Sequence, residues 1–358
     1  MIKTNKEIGG SIEAGLLSRE KVMAILRGIQ GLKAGIIGDS CLDIYWQIDM
    51  TRSELSRETP HYTLPVVGES FTPGAAANTA VNLKKLGCSE VKLCSIIAND
   101  WRGRILREKL EENGISCEHI VLSKEGSTPA YCKPILRGLQ DTVQEAPRID
   151  FIHHSSWPES IVDQVISALD AMASQVDVIG VTDQLVSGVV GDAVRRRLSH
   201  WAERGKLVVA DSREHISSFF GCIVKPNEVE APRSVGVVMP EENAPLEEWM
   251  EIGRRLSSQV SAPCCLTMGS KGAIWVEEGA ATVIPTMPVK PPLDVVGAGD
   301  CFGASLMSAL GVAASGAEAV AFAHLGAAVS VKKLGGVGHA TPEEIMDRYD
   351  QCRNGEGG

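Results

Sequence analysis

Basic charge is in short supply. Lys and Arg number 35 against 45 Asp and Glu, a formal charge of −10, and the pI is near 5.4. A net negative surface works against nucleic acid or an anionic membrane as the main partner, and leaves room for a local basic pocket. Long apolar runs are also missing. The longest small and apolar stretch, Ala317 to Val331, contains Glu318 and His324 and falls short of the roughly 18–20 residues of a membrane span. The N-terminus, MIKTNKEIGGSIEAG, has no apolar signal core. Ten cysteines are scattered without a C-x-x-C pair. The vicinal Cys264–Cys265 suits neither a zinc knuckle nor an easy disulfide. Buried thiols in a reducing, cytoplasmic compartment are expected. No G-x-x-x-x-G-K-[ST] is present, which excludes an ordinary Walker NTPase. No G-x-S-x-G serine-hydrolase signature and no internal repeat stand in the chain.

What is present is the composition of a globular enzyme: 358 residues, 44% hydrophobic and 22% charged. That length fits one large α/β domain or two small ones. Residues 1 to about 30 read as an N-terminal helical extension, with Ser18 as cap and Val22, Ile25, Leu26 and Ile29 at helical spacing. A short buried strand follows at 34–38, then irregular polar sequence from Asp49 to Tyr62 and a strand at 64–67. A helix is expected over 75–86, a strand over 91–97, a helix over 103–113, and strands at 120–122 and 131–136. From there helices 159–173, 189–204 and 246–260 alternate with strands 176–181, 207–210, 222–225 and 264–268. A hairpin at 273–276 and 282–284 precedes two closing helices, 298–310 and 317–333. Apolar strands alternating with helices imply a mostly parallel sheet covered on both faces. Ligands in such sheets sit beyond the carboxyl ends of the strands. The less regular strands of the first half are expected to form a small separate sheet, a lid beside that edge.

The strongest local signal is Asp294-Val-Val-Gly-Ala-Gly-Asp-Cys-Phe-Gly303. Gly297, Ala298 and Gly299 open a helix whose first amides are unsatisfied and whose dipole is positive there, an anion site. Asp300 sits in the first turn. Amides that stabilise charge on a transferred group, beside a carboxylate that orients and deprotonates a hydroxyl, suit phosphoryl transfer. The dipole is expected to keep Asp300 ionised, a positioning base rather than a strong one. A tight turn with a helix-start acid is the plainer alternative.

Four other segments stand out. Pro73-Gly-Ala-Ala-Ala-Asn78 lets a ligand approach the backbone, and Asn78 offers a polyol a donor and an acceptor; close helix packing explains it equally. Gly38-Asp39-Ser-Cys-Leu-Asp43 sets two acids at a strand's carboxyl end, as sugar ligands or turn caps. In Lys225-Pro-Asn-Glu-Val-Glu230, Asn227 and Glu230 fit a hydrated magnesium ion on nucleotide phosphates, or a helix cap. Thr267-Met-Gly-Ser-Lys-Gly-Ala273 is a strand end with a glycine turn. His153, His154, His324 and His339 lack metal spacing and read as core or surface residues. Arg52, Arg57, Lys133 and Arg137 are candidate phosphate partners, with solvated surface charges as the plainer reading.

Together these five segments resemble the ribokinase (PfkB-type) family of carbohydrate kinases, from about Leu32 to Ile345. Asp294–Asp300 is similar to the family's D-T-T-G-A-G-D. The resemblance implies a ribokinase-like three-layer α/β/α fold with a β-sheet lid, over a kinase domain of residues 31–350 with lid segments near 44–72 and 120–150. It implies ATP, Mg2+ and a monovalent cation, K+, as cofactors. Asp300 would be the catalytic base, with Gly297, Ala298 and Gly299 as the anion hole. Asp43, Gly74, Ala75 and Asn78 would bind the sugar. Asn227 and Glu230 would organise Mg2+ and phosphate, Glu230 through water. Thr267 and Gly269 would line the ATP site, and Asp294 would lie near K+. Lid strands often pair between subunits in this family, so a homodimer is expected.

Within the family the sequence is most similar to kinases of D-glycero-D-manno-heptose 7-phosphate, which act on its anomeric hydroxyl. Gly38-Asp39…Asp43-Ile-Tyr-Trp46, Ser56-Arg-Glu58-Thr-Pro60, Pro73–Asn78 and Arg148-Ile-Asp150 match that group's motifs. Glu54 stands where the group tends to carry arginine. Ala75 replaces a glycine, Val295-Val296 replaces hydroxyl-bearing residues, and His153-His154 replaces an acidic run. Other acceptors, an unphosphorylated hexose or ketose or a nucleoside, stay open. So do a non-catalytic sugar-binding homologue and a nicotinamide dehydrogenase built on Gly297–Gly303.

Overall fold

The computed structural model describes residues 15–241 and 243–353; residues 1–14 of the expected extension lie outside them. Ser18 accepts the Lys21 N–H and starts α1 (Arg19–Ile29), which turns Val22, Ile25, Leu26 and Ile29 inward. The first half continues through β1 (Lys33–Gly38), β2 (Ser40–Asp49), β3 (Val66–Ala75), α2 (Ala76–Lys85), β4 (Glu90–Ala98), α3 (Trp101–Glu112), β5 (Ile120–Ser123), β6 (Ala130–Arg137), β7 (Val143–Glu145) and β8 (Ile149–Phe151). The second half is α4 (Glu159–Ala173), β9 (Val178–Asp183), α5 (Asp192–Glu203), β10 (Leu207–Ser212), β11 (Ile223–Val224), α6 (Glu230–Ser234), α7 (Leu246–Val260), β12 (Cys264–Thr267), β13 (Ala273–Glu277), β14 (Ala280–Ile284), α8 (Ala298–Gly311), α9 (Gly316–Ser330) and α10 (Pro342–Arg353).

Nine strands form one sheet in the order β14-β13-β12-β11-β10-β9-β1-β4-β5, parallel except for β13, which runs antiparallel to both β12 and β14. Alternate residues of each strand feed opposite cores. Ile36 and Val178 enter one, Ile37 and Ile179 the other. The first is closed by α1, α2, α8, α9 and α10, the second by α4, α5 and α7, giving three layers. From β1 the chain proceeds to β4 and β5 on one side and later to β9, β10 and β11 on the other. The crevice where the winding reverses therefore opens between the carboxyl ends of β1 and β9.

Asp39 seals one wall of that crevice. Its carboxylate accepts the N–H groups of Gln184, Leu185 and Val189 at 2.7–2.8 Å. Of its two open readings the structure favours the turn-holding one. Gly38, at φ +156°, lets the chain turn here, since a Cβ would lie 2.0 Å from the Thr182 carbonyl oxygen.

Directly after Asp39 the chain enters a second sheet, ordered β3-β2-β6-β7, with β8 also paired to β6. Here expectation and structure differ. Strand β2 was not foreseen, because its first six residues are buried without polar–apolar alternation. Strand β3 runs on through Pro73 and Gly74, so the helix begins at Ala76. Ile120–Ser123, expected in the small sheet, instead pairs parallel to β4 at the edge of the large one. The helix α3 between them makes a β-α-β unit, which returns the chain parallel to its start. Helix α10 was also missed, although Thr341-Pro-Glu-Glu344 is a capping box with proline at the first helical position.

Ala75 sits at φ 54° and ψ −127°, a conformation that glycine favours and a Cβ strains by about 1–3 kcal/mol. It is held there by β2 pairing with Ser40 and by the bond from the Ala76 N–H to the Asp39 carbonyl, 2.8 Å. Ala75→Gly should relieve that strain and lose about 0.4–1 kcal/mol to unfolded-chain entropy. A net gain of about 1 kcal/mol in urea unfolding is expected; a loss would show that the backbone here is relaxed.

Candidate active site

Helix α8 supplies the centre. Its N-cap Gly297 adopts the left-handed conformation, φ 75°, and no side chain caps the helix. The Ala298 N–H is spent on the Val295 carbonyl at 3.1 Å, which corrects the expectation of three open amides. Gly297 and Gly299 remain as the glycine amides of the turn. A Cβ at Gly299 would meet nothing within 4 Å, so the space above it is open.

Asp300 follows, half-buried. Its Oδ2 accepts Asn78 Nδ2–H at 2.6 Å. Burial raises its carboxyl to about 6, with Asp211 and Asp43 adding to the shift and Asn78 and Lys225 opposing it. At about 6 the carboxyl is still ionised at neutral pH, with burial, the largest cause of its rise, working against the charge that the helix start favours. Beneath it lies a cavity of about 20 Å3, lined among others by Thr79, Thr182, Asp211, Lys225 and Gly299, room for about one water molecule.

Lys225 and Asp211 belong to this site and were not singled out. Lys225 Nζ lies 2.8 Å from Asp211 Oδ2, with the lysine side chain 6% exposed. Burial works against the Lys225 charge, and Asp211 more than restores it. Asp211 was legible as an acid at the carboxyl end of a core strand. Lys225 stood out only as the lysine two positions before Asn227.

Asn227 and Glu230 do what a helix cap does. Asn227 Oδ1 accepts the N–H groups of Val229 and Glu230, and Glu230 Oε2 accepts the Asn227 N–H, all at 2.8–2.9 Å. Burial, then the Asp211 charge, raises the Glu230 carboxyl, against the pull of Lys225. Thr267 bridges to Asn227 from the end of β12, and Gly269, at φ 53°, opens the turn beyond. These residues share the strand-end edge with Asp300.

The small sheet brings Asp43. Its Oδ2 pairs with Lys133 Nζ at 2.9 Å, and Lys133 also donates to the Tyr45 hydroxyl at 3.2 Å. Lys133 is thus a buried partner rather than a solvated charge. Burial disfavours its ammonium, but Asp43 and Tyr45 outweigh that and raise it. Gly74 is required beside this pair: a Cβ would stand 2.6 Å from Cys41 Sγ and 2.8 Å from Asp43 Oδ1. Asn78, expected to face a sugar, is buried with both polar ends engaged inside the protein. Asp294 lies apart from Asp300 and clamps two loops, accepting the N–H groups of Val296, Gly335 and Gly336. Arg52 pairs with Asp49 and Arg137 with Gln47 at the surface. Among the described residues no disulfide forms, and no helix is long and apolar enough to cross a membrane.

The chain spans about two thirds or less of the curated proteins it resembles. The bifunctional protein HldE of Citrifermentans bemidjiense is 30% identical over 337 residues, which cover 92% of this chain and 66% of that protein. HldE of Helicobacter hepaticus is 27% identical over 87% of this chain and 62% of its own. Among solved structures, the Thermotoga maritima ribokinase superposes with a TM-score of 0.64 at 20% identity, over 89% of this chain and 99% of that one. The tetrameric inhibited form of Escherichia coli phosphofructokinase-2 superposes with a TM-score of 0.70 at 16% identity, over 90% and 99%. The fold is therefore ribokinase-like. The model of the pfkB family of carbohydrate kinases matches residues 44–146 and 151–343; with that coverage, and with an acid at an uncapped glycine helix start, the chain belongs to that family.

Proposed function

We propose that the chain transfers the γ-phosphoryl group of ATP to a sugar hydroxyl, with Asp300 as general base. The observation that carries this is the placement of Asp300. A carboxyl raised to about 6 is still ionised at neutral pH, yet basic enough to take a proton in the transition state. The hydroxyl proton passes to Asp300 as the oxygen attacks the γ-phosphorus. The bond to the bridging oxygen breaks, ADP leaves, and Asp300 returns the proton to solvent. The Gly297 and Gly299 amides and the α8 dipole stabilise charge on the phosphoryl group in flight.

Among the described residues no three His, Cys, Asp or Glu side chains cluster to cage a metal. Asp211 and Glu230 do share one patch, which fits a magnesium ion that keeps its waters and takes its other ligands from phosphate. Bound there, magnesium would neutralise charge on the nucleotide. Asp294 has its oxygens occupied by main-chain amides, so a monovalent cation nearby would rest chiefly on carbonyls. Thr267 and Gly269 would flank the nucleotide.

On the acceptor side the small sheet acts as a lid that excludes water, a competing acceptor. Its strands β2, β3 and β6 carry this role; β5 does not. The relatives named HldE, and the segments that resemble heptose kinases, favour the anomeric hydroxyl of a heptose 7-phosphate. Arg148 of that resemblance forks onto Asp150 at 2.6 and 2.7 Å and lies 4.2 Å over the ring of Tyr131, which stands opposite Asp43 in the β2–β6 pairing. The exposed Val66 and Val67 on edge strand β3 offer a second copy a surface for dimerisation through the lid.

Asp300→Asn should retain ATP binding by calorimetry and lose turnover by roughly 10²–10⁴-fold; near-normal turnover would remove Asp300 from the chemistry. An ATP-consumption screen over sugars and sugar phosphates, heptose 7-phosphate included, tests the acceptor. The same variant should be more stable. The folded carboxyl holds its proton more tightly than the unfolded chain does, so wild-type stability falls as pH rises from about 4 to about 6. Asn lacks that penalty. A gain of about 1–2 kcal/mol at pH 7 is expected, vanishing near pH 4; equal stability at both pH values would contradict the buried, raised carboxyl.

A further inference from the structure

We propose that His339 is a positioning residue for phosphoryl transfer: as the neutral Nε2–H tautomer it donates to Asn78 Oδ1 and so locks the Asn78 amide with its NH2 edge on Asp300. The inference rests on the reading of Asp300 as the base.

Asn78 has two polar edges and is 1% exposed, so water cannot substitute for a lost partner. Its Nδ2 lies 2.6 Å from Asp300 Oδ2 and its Oδ1 lies 3.1 Å from His339 Nε2. Asn82 Nδ2 also approaches that oxygen, at 3.4 Å, but is better placed on the Asn78 carbonyl at 3.0 Å. Turning the amide over would set its oxygen against a carboxylate and its NH2 against another NH2. An N–H on His339 Nε2 makes the observed orientation the satisfied one. With Oδ2 held by Asn78, Oδ1 of Asp300 is left for the substrate hydroxyl.

The loop that delivers His339 is clamped to the same signature segment. Gly335 and Gly336 donate to Asp294. Val337 packs where a Gly297 Cβ would stand, 3.2 Å away, and Gly338 presses so closely on Ser330 that a Cβ would lie 2.1 Å from its carbonyl oxygen. Burial, with Lys85 and Lys333 as the neighbouring charges, lowers the imidazole to about 4. The ring is therefore uncharged at neutral pH.

The test compares His339→Gln with His339→Met, side chains of similar length of which only Gln carries an N–H donor. Turnover is measured with heptose 7-phosphate, or with water alone as acceptor should that sugar not be used. The Met variant should lose about 10-fold or more in kcat with KM for ATP unchanged, and Gln should recover most of it. In the wild type, 15N NMR of labelled histidine, with the His339 signals assigned from the Gln variant, should show the Nε2–H tautomer at pH 7. Equal turnover in the two variants, or an Nδ1–H or doubly protonated ring, overturns the inference. The spectrum decides even if the Met variant does not fold. Normal turnover in Asp300→Asn would fail the base reading, whatever His339 does. An inactive Asp300→Asn beside normal His339 variants would fail this inference alone.

Discussion

Asn78 and Asp300 stand 222 positions apart in the chain and 2.6 Å apart in space. Each lies in the first turns of its helix, so two positive helix ends converge on one carboxylate. Those dipoles and the Asn78 amide favour the ionised form. Packing against the sheet removes water and favours the neutral form. Desolvation is the larger effect, and the balance falls near 6. Move either helix and the balance moves with it, so the layers that pin α2 and α8 to β1 and β9 set the state of this carboxyl as well as the fold.

The small sheet is tied to that centre by a buried ion pair. Asp43 and Lys133 pair diagonally across strands β2 and β6, Asp43 standing opposite Tyr131 and Lys133 opposite Tyr45. A buried pair costs about as much in desolvation as it returns in attraction, so it adds little net stability. Either partner alone would be strongly penalised, and a slipped register would produce that state. The pair therefore specifies how β6 sits on β2. Gly74 reinforces it, since only a residue without a Cβ lets β3 close over Asp43 and Cys41.

The second half of the fold was legible because its signals are local. Helix Leu246–Val260 repeats apolar residues at helical spacing and appears with the bounds its sequence implied. The first half was legible in its helices and in β4 and β6 but not in β2, which is buried through Ser40–Tyr45 and shows no alternation. The site followed the same rule. Asp300 and its glycines announce themselves by spacing. Lys133 and His339 do not: one reads as a surface charge and the other as an isolated ring until strand pairing and loop closure bring them to Asp43 and Asn78. The rise of the Asp300 carboxyl was not legible for the same reason, since burial is a property of the assembled layers and not of the helix start.

Charge counting carries the synthesis one step further. Asp300, the proposed base, stands with Asp211 and Glu230, and the cations acting on this group are Lys225, 2.8 Å from Asp211, and Arg213 beside Glu230. Three carboxylates against two cations leave the acids in excess before any nucleotide arrives. The amides at the start of α8 attract one phosphate but do not cancel that excess, because their partial charges amount to about half a unit. On the proposed reading a triphosphate would settle here with its charge partly neutralised. The proposed divalent cation would answer this balance of acids, since among the described residues no three metal-ligating side chains form a cage. The neighbouring acids also add, after burial, to the rise of the Asp300 carboxyl, so on the proposed reading the same charges bear on both the state in which the nucleotide arrives and the basicity offered to the sugar hydroxyl.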